Sequence, residues 1–232
     1  MSSSRFFHPN SISPSFYYIT DRHSLPVPNE ASLLRHVRKV IAWGVDFIQV
    51  REKDLPNRRL FDLTRRILEV VRETPRAAKR CRVLVNGRAD IAVAAGADGV
   101  HLTSSGIGIS AIRAWIPKNF IVGVSVHTMR EIRSVCAQDV NYILLGHIFK
   151  TASKEGMGAA LGVDFLRRAC REASAPVLAL GGITAERIPD ILQAGAIGVA
   201  GISLFQKKDE FTRLCKYHGS RLSVARREPS LQ

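Results

Sequence analysis

Cysteine is sparse in this chain, and its placement excludes more than its number. Cys81, Cys136, Cys170 and Cys215 are widely spaced and form no C-x-x-C pair. A zinc ribbon or finger and a disulfide-stapled secreted scaffold are thereby excluded, and reduced thiols of a cytoplasmic protein are expected. Long apolar runs are also missing: none approaches the roughly 18 residues of a membrane span. The N-terminus, Met1-Ser-Ser-Ser-Arg-Phe-Phe-His-Pro9, lacks the apolar core of a secretory signal, so no membrane partner is expected. Acids are in deficit, with 20 Asp+Glu against 34 Lys+Arg and a formal charge of +14. Such a balance raises nucleic acid as a partner. The bases, however, are scattered over helix faces, as in Arg35-His-Val-Arg-Lys39 and Arg65-Arg66, with no stripe of interleaved aromatics. No nucleic-acid partner is expected; the basic surface suits a phosphorylated or carboxylated small substrate. Finally, no G-x-G-x-x-G follows the first strand, which argues against a doubly wound dinucleotide-binding sheet.

What is present is a regular alternation. A 46% hydrophobic and 23% charged composition is ordinary for a globular protein with a full core. Short β-rich runs begin near Phe16, Val45, Arg82, Gly99, Phe120, Tyr142, Pro176 and Ile197. Between them lie segments with apolar residues at helical spacing, such as Leu60, Leu63, Ile67, Val70 and Val71. Gly44 is placed to close the first helix, and Thr128 and Thr184 to cap later ones. Eight such units in 232 residues predict a single-domain (β/α)8 TIM barrel with a parallel sheet. The expected organisation is an N-terminal arm over 1–16, the barrel over 17–206, and a basic C-terminal helix and tail over 207–232.

In a parallel barrel the C-terminal strand ends share one mouth, where chemistry is built. This sequence delivers there Gln49, Arg51 and Lys53, Asn86, His101, Ser125 and His127, His147, then Thr151, Ser153 and Lys154, and glycines 181, 182 and 201. The set is cationic and rich in hydroxyls. Arg51 and Lys53 stand two apart on an extended segment, so their side chains share a side. With Gln49 they make a carboxylate or phosphate clamp, although a solvated charge pair is the simpler alternative. Gly182 and Gly201 suit close approach of backbone N–H groups to a phosphate, and Gly181-Gly182 equally suits a tight turn. The segment Asn141 to Lys154 carries one histidine, His147, at a buried strand's end beside a loop suited to anions; a core histidine with a solvated loop fits it too. His101 and His127 read as structural strand-end histidines placed where a functional role stays open. His8, His23, His36 and His218 fall in arms or on solvated helices.

Several of these runs together resemble one family. They are Gln49-Val-Arg-Glu-Lys53, Val85-Asn86, Ala97-Asp-Gly-Val-His-Leu102, Gly123-Val-Ser-Val-His127, Tyr142-Ile-Leu-Leu-Gly146, Ile148-Phe149-x-Thr151-x-Ser-Lys154 and Leu180-Gly-Gly-Ile183. In that order they are similar to the thiamin phosphate synthase/TenI family, from about Tyr17 to Phe205. The resemblance implies a TIM barrel, a role in thiamin biosynthesis, a phosphorylated thiazole ligand and a homodimer.

Two departures refine what the resemblance implies. The synthase pattern has acids after strands three and four that hold magnesium; here those places are Gly87 and the run Thr103-Ser-Ser-Gly106, while Asp90 and Asp98 match neither. Where the synthases have Gly-Pro, this chain has Gly146-His147. Together these resemble the thiazole tautomerases, isomerases in which this histidine is the acid/base. On that expectation His147 is catalytic, with no metal and no cofactor. The ligand, a thiazole phosphate carboxylate, is held by Gln49, Arg51, Lys53, Asn86, Ser125, His127, Thr151, Lys154, Gly182 and Gly201. The alternatives are thiamin phosphate synthase itself, dependent on magnesium, or a non-catalytic thiazole-phosphate-binding regulator using the basic tail from Lys207 to Arg227.

Overall fold

A computed structural model describes residues 14–74, 80–103, 106–150 and 159–214. The strands are β1 (Ser15–Ile19), β2 (Phe47–Val50), β3 (Arg82–Asn86), β4 (Gly99–Thr103), β5 (Ile121–Val126), β6 (Tyr142–Gly146), β7 (Val177–Leu180) and β8 (Gly198–Gly201). They close into a parallel barrel in sequence order, with β8 pairing back onto β1. The helices outside are α1 (Glu30–Trp43), α2 (Asn57–Arg72), α3 (Ala89–Ala95), α4 (Ile109–Arg113), α5 (Met129–Cys136), α6 (Gly162–Glu172), α7 (Ile188–Gln193) and α8 (Ser203–Gln206). A further helix, α9, occupies 208–214. The TIM-barrel expectation is met.

Local chemistry explains the boundaries. Asn29 accepts from the Ser32 N–H at 2.8 Å to start α1, and Gly44, at φ 109°, ends it in a left-handed turn. Thr128 and Glu131 form a reciprocal capping box on α5. Thr184, by contrast, makes no side-chain cap; a 3-10 turn (Ala185–Arg187) intervenes before α7. The Ala185 N–H is instead taken by the Glu210 carboxylate from α9 at 3.0 Å. β1 starts at Ser15, inside the stretch expected as an arm, because the Ser15 N–H bonds to the Ile197 carbonyl beside β8. It ends before Asp21, whose carboxylate caps the turn at His23.

Two apolar layers follow from the alternation of strand side chains. One lies between sheet and helices; the buried Leu60, Leu63, Ile67, Val70 and Val71 of α2 belong to it. Each such side chain contributes roughly 1.5–3 kcal/mol on burial. The other fills the barrel itself with Tyr17, Phe47, Leu84, Ile121, Tyr142, Leu144 and Leu178. Asn86, His101, Gly123 and Tyr142 lie in register across β3, β4, β5 and β6. That row positions the site. No helix among the described residues is long and apolar enough to cross a membrane.

Candidate active site at the mouth of the barrel

The polar residues predicted for the mouth sit above the apolar filling of the barrel. Gln49 is buried and donates from Nε2 to the Asn86 Oδ1 at 3.1 Å. That bond uses the Asn86 oxygen, so its NH2 is the group left to donate elsewhere. One residue beyond β2, Arg51 is half-buried, and its backbone N–H is fixed by the Thr20 hydroxyl at 2.9 Å. Glu52 turns the other way and is buried. It accepts from the Arg22 N–H at 3.1 Å and from the Arg22 Nη1 at 2.9 Å. Arg22 continues to Asp54, whose carboxyl it holds well below the usual range. Lys53 is exposed. The loop after β2 is thus braced from the turn that follows β1 through a buried charge pair that the sequence does not reveal. The available signal was the acid between Arg51 and Lys53, which alternation sends to the opposite side.

His101 is 2% exposed and carries the second polar feature. Its Nδ1 lies 3.0 Å from the Tyr142 hydroxyl and its Nε2 lies 2.8 Å from the Ser125 hydroxyl. Tyr142 in turn meets the Tyr17 hydroxyl at 2.7 Å, so a hydrogen-bonded chain runs from the barrel interior to the half-buried Ser125. Burial, and secondarily the Arg51 charge, push the His101 pKa down to about 3, so the ring is neutral at physiological pH. Burial pushes the Tyr17 and Tyr142 phenols up, keeping both protonated. Tyr17 and Tyr142 fall within β-rich runs of the sequence, which does not place either of them in the site. The missed signal was an aromatic at 142 directly opposite a glycine at 123.

The remaining predicted residues are placed less uniformly. His127, beyond β5, is exposed as a residue, but its Nδ1 donates to the Gly146 carbonyl and its N–H to the Glu131 carboxylate, tying β5 to β6. His147 stands half-buried just past β6, its carbonyl accepting from the Leu161 N–H at 3.0 Å. Gly181, at φ 96°, lets β7 approach it: a methyl group there would lie 2.4 Å from the His147 Cβ. At Gly182, φ 63°, a methyl group would lie 2.5 Å from the Lys150 carbonyl oxygen, so packing and backbone geometry both demand a glycine there. Gly201 ends β8 and is buried. Thr151 and Lys154 lie outside the described residues, as do His8 and His218. His23 is exposed beside Asp54, and His36 needs correcting. It is not on a solvated face but packs between the rings of Tyr18 and Phe211, with burial lowering its pKa.

The donor set does not fit magnesium, which takes oxygen ligands, usually including one or two carboxylates. Gly87 supplies no side chain after β3, and β4 ends on Thr103. Asp90 is held by Arg88, and Asp98 accepts from Arg82 and from the Val83 N–H at the opposite end of the strands. Among the described residues no group of three or more His, Cys, Asp or Glu is placed to hold a metal ion.

A family model described as thiamine monophosphate synthase matches residues 16–205. The chain belongs to that family. A protein of Geobacter sulfurreducens named "Putative thiamine-phosphate synthase" is 42% identical over 82% of this chain and 85% of its own. The thiamine-phosphate synthase of Methanoculleus marisnigri is 34% identical over 82% of this chain and 88% of its own. Among solved structures, thiamine phosphate pyrophosphorylase from Pyrococcus furiosus superposes with a TM-score of 0.75 at 27% identity, covering 88% of this chain and 94% of its own. The Geobacter and Methanoculleus relatives carry synthase names, which denote transferases and not isomerases. The isomerase expected from Gly146-His147 is overturned by them. Its basis was narrow: a histidine at one strand end and two missing acids, set against similarity spread over 189 residues. The role of His147 as acid/base of an isomerisation falls with it.

Proposed function

We propose that the protein is a thiamine-phosphate synthase, joining a pyrimidine methyl diphosphate to a thiazole phosphate. The bond formed links the thiazole ring nitrogen to the pyrimidine methylene carbon; the bond broken is that carbon's bond to the diphosphate oxygen, and diphosphate leaves. The observation that carries the reading is the 34–42% identity, over about four fifths of the chain, to proteins named as synthases. The mouth supports it chemically. A leaving diphosphate gathers negative charge, and preorganised cations and N–H or O–H donors are what stabilise such a group. Arg51 follows β2, the Asn86 amide ends β3 and the Ser125 hydroxyl lies near the end of β5, with the chain's basic surface outside. Arg51 offers the planar, bidentate geometry that a phosphate oxygen pair fits. The coupling itself moves no proton, so His147 has none to carry.

A second reading keeps the ligand and drops the reaction. Gly87 and the run Thr103-Ser-Ser-Gly106 lack the side-chain acids that the family pattern implies there, which favours a protein that binds the thiazole phosphate without turning it over. One experiment separates the two. With both substrates supplied in a magnesium-containing buffer, the synthase reading expects thiamine phosphate and diphosphate in equal amounts. Calorimetric binding of thiazole phosphate without product would leave the binding protein.

A further inference from the structure

The chain Tyr17–Tyr142–His101–Ser125 has a direction, and the direction follows from counting protons. Tyr17 is fully buried among Ile19, Phe47, Leu84 and Leu144, and among the described residues its hydroxyl has one hydrogen-bond partner, the Tyr142 oxygen at 2.7 Å. If Tyr17 donates there, the Tyr142 proton points to the His101 Nδ1 at 3.0 Å. A neutral imidazole has one N–H, so accepting at Nδ1 places that proton on Nε2, where it donates to the Ser125 oxygen at 2.8 Å. The Ser125 proton is then free to donate into the mouth. Run the other way, the chain ends with the Tyr17 proton facing apolar side chains, a buried donor without an acceptor.

We infer that Tyr17 and Tyr142 are positioning residues that fix His101 as its Nε2–H tautomer and commit Ser125 as a hydrogen-bond donor to a phosphate-class oxygen of the ligand. The burial of His101, which keeps the ring neutral, supports this by removing the doubly protonated alternative. Gly123 supports it sterically: it sits in register between His101 and Tyr142 and, lacking a side chain, lets the two meet. The tautomer stands on the hydrogen-bond geometry and the burial of the ring; the identity of the ligand oxygen rests on the proposed synthase reaction.

The test is nitrogen-15 NMR of the free protein, with the His101 ring assigned through its own backbone resonances. The expected spectrum has a protonated Nε2 and a hydrogen-bonded, unprotonated Nδ1; a protonated Nδ1 would overturn the inference. In the double variant Tyr17→Phe/Tyr142→Phe, which removes both hydroxyls and leaves neither orphaned, the Nδ1 resonance should move toward that of an unbonded pyridine-type nitrogen. A purely structural role for the two phenols would leave that resonance in place, and this too would overturn the inference. Ser125→Ala should weaken thiamine phosphate binding about 3- to 10-fold, the worth of one hydrogen bond. Unchanged affinity in that variant would sink the donor assignment. If the parent protein shows no thiamine phosphate binding while the tautomer is as expected, the synthase reading and the ligand half fail together, and the tautomer half survives.

Discussion

His101 and Tyr142 lie face to face across Gly123, their ring centroids 5.8 Å apart and their planes 25° from parallel. The two rings come from β4 and β6, strands that are not neighbours. They meet because the strand between them contributes no side chain at that register. A β-carbon on Gly123 would fall 1.9 Å from the Tyr142 Cζ, well inside any permitted contact. Gly123→Ala is therefore expected to displace the phenol and break its bond to His101. Overpacking of this kind costs about 1–3 kcal/mol, to which the lost buried hydrogen bond adds. Denaturant unfolding reads the loss, and a variant as stable as the parent would contradict the packing described.

The same burial makes stability depend on pH. In the unfolded chain His101 takes a proton near pH 6.5; in the fold it does so only at about 3. Between those values the unfolded state binds more protons, so stability is present above the unfolded pKa and is lost as pH falls. His36, also lowered by burial, acts in the same direction. Unfolding free energy should drop between pH 6 and pH 5, before the carboxylates titrate. His101→Gln should shallow that slope by up to about 1.4 kcal/mol per pH unit. An unaltered slope in the variant counts against a neutral buried imidazole.

Arg51 is held by its own backbone bond to Thr20 and by the buried Glu52–Arg22 pair beside it. Its charge reaches His101, as the second cause of the lowered pKa there. Arg51→Ala should reduce kcat/KM for coupling by about 10- to 100-fold, the worth of a charged hydrogen-bonding group. Arg51→Lys should recover only part, because an ammonium cannot grip two oxygens side by side. Full recovery by lysine would show that point charge suffices.

His147 gives the sharpest contrast between reaction classes. Losing a general acid or base typically costs about 10²- to 10⁴-fold in rate. A coupling that moves no proton predicts that His147→Ala stays far short of that, with no pH-rate inflection lost. Steady-state rates over a range of pH read both. A loss of the full size would mean that a proton is in flight at this position.

The barrel was legible because its signal is repeated eight times: each apolar run of strand length is followed by residues at helical spacing, and the closing glycine and capping threonine at 44 and 128 carry their own geometry. The mouth was legible in part for the same reason, since strand ends follow from strand positions. What escaped was pairing across strands. Nothing adjacent in sequence joins Tyr17 to Tyr142, 125 residues apart, or Arg22 to Glu52, 30 apart. Nor does spacing show that Gln49 consumes the oxygen of Asn86, or that His36 lies under Tyr18 and Phe211. The isomerase expectation rested on local features, a histidine at one strand end and two missing acids, which the likeness over 189 residues outweighs.

The measurement that tests the account most directly is product stoichiometry in a single mixture. Purified protein, thiazole phosphate and pyrimidine methyl diphosphate are combined in magnesium-containing buffer, and thiamine phosphate and free diphosphate are quantified over time. Equal accumulation of the two, abolished without protein and reduced in Arg51→Ala, is the predicted result. Absence of thiamine phosphate at protein concentrations that demonstrably bind the thiazole phosphate would contradict the synthase and leave a binding protein in its place.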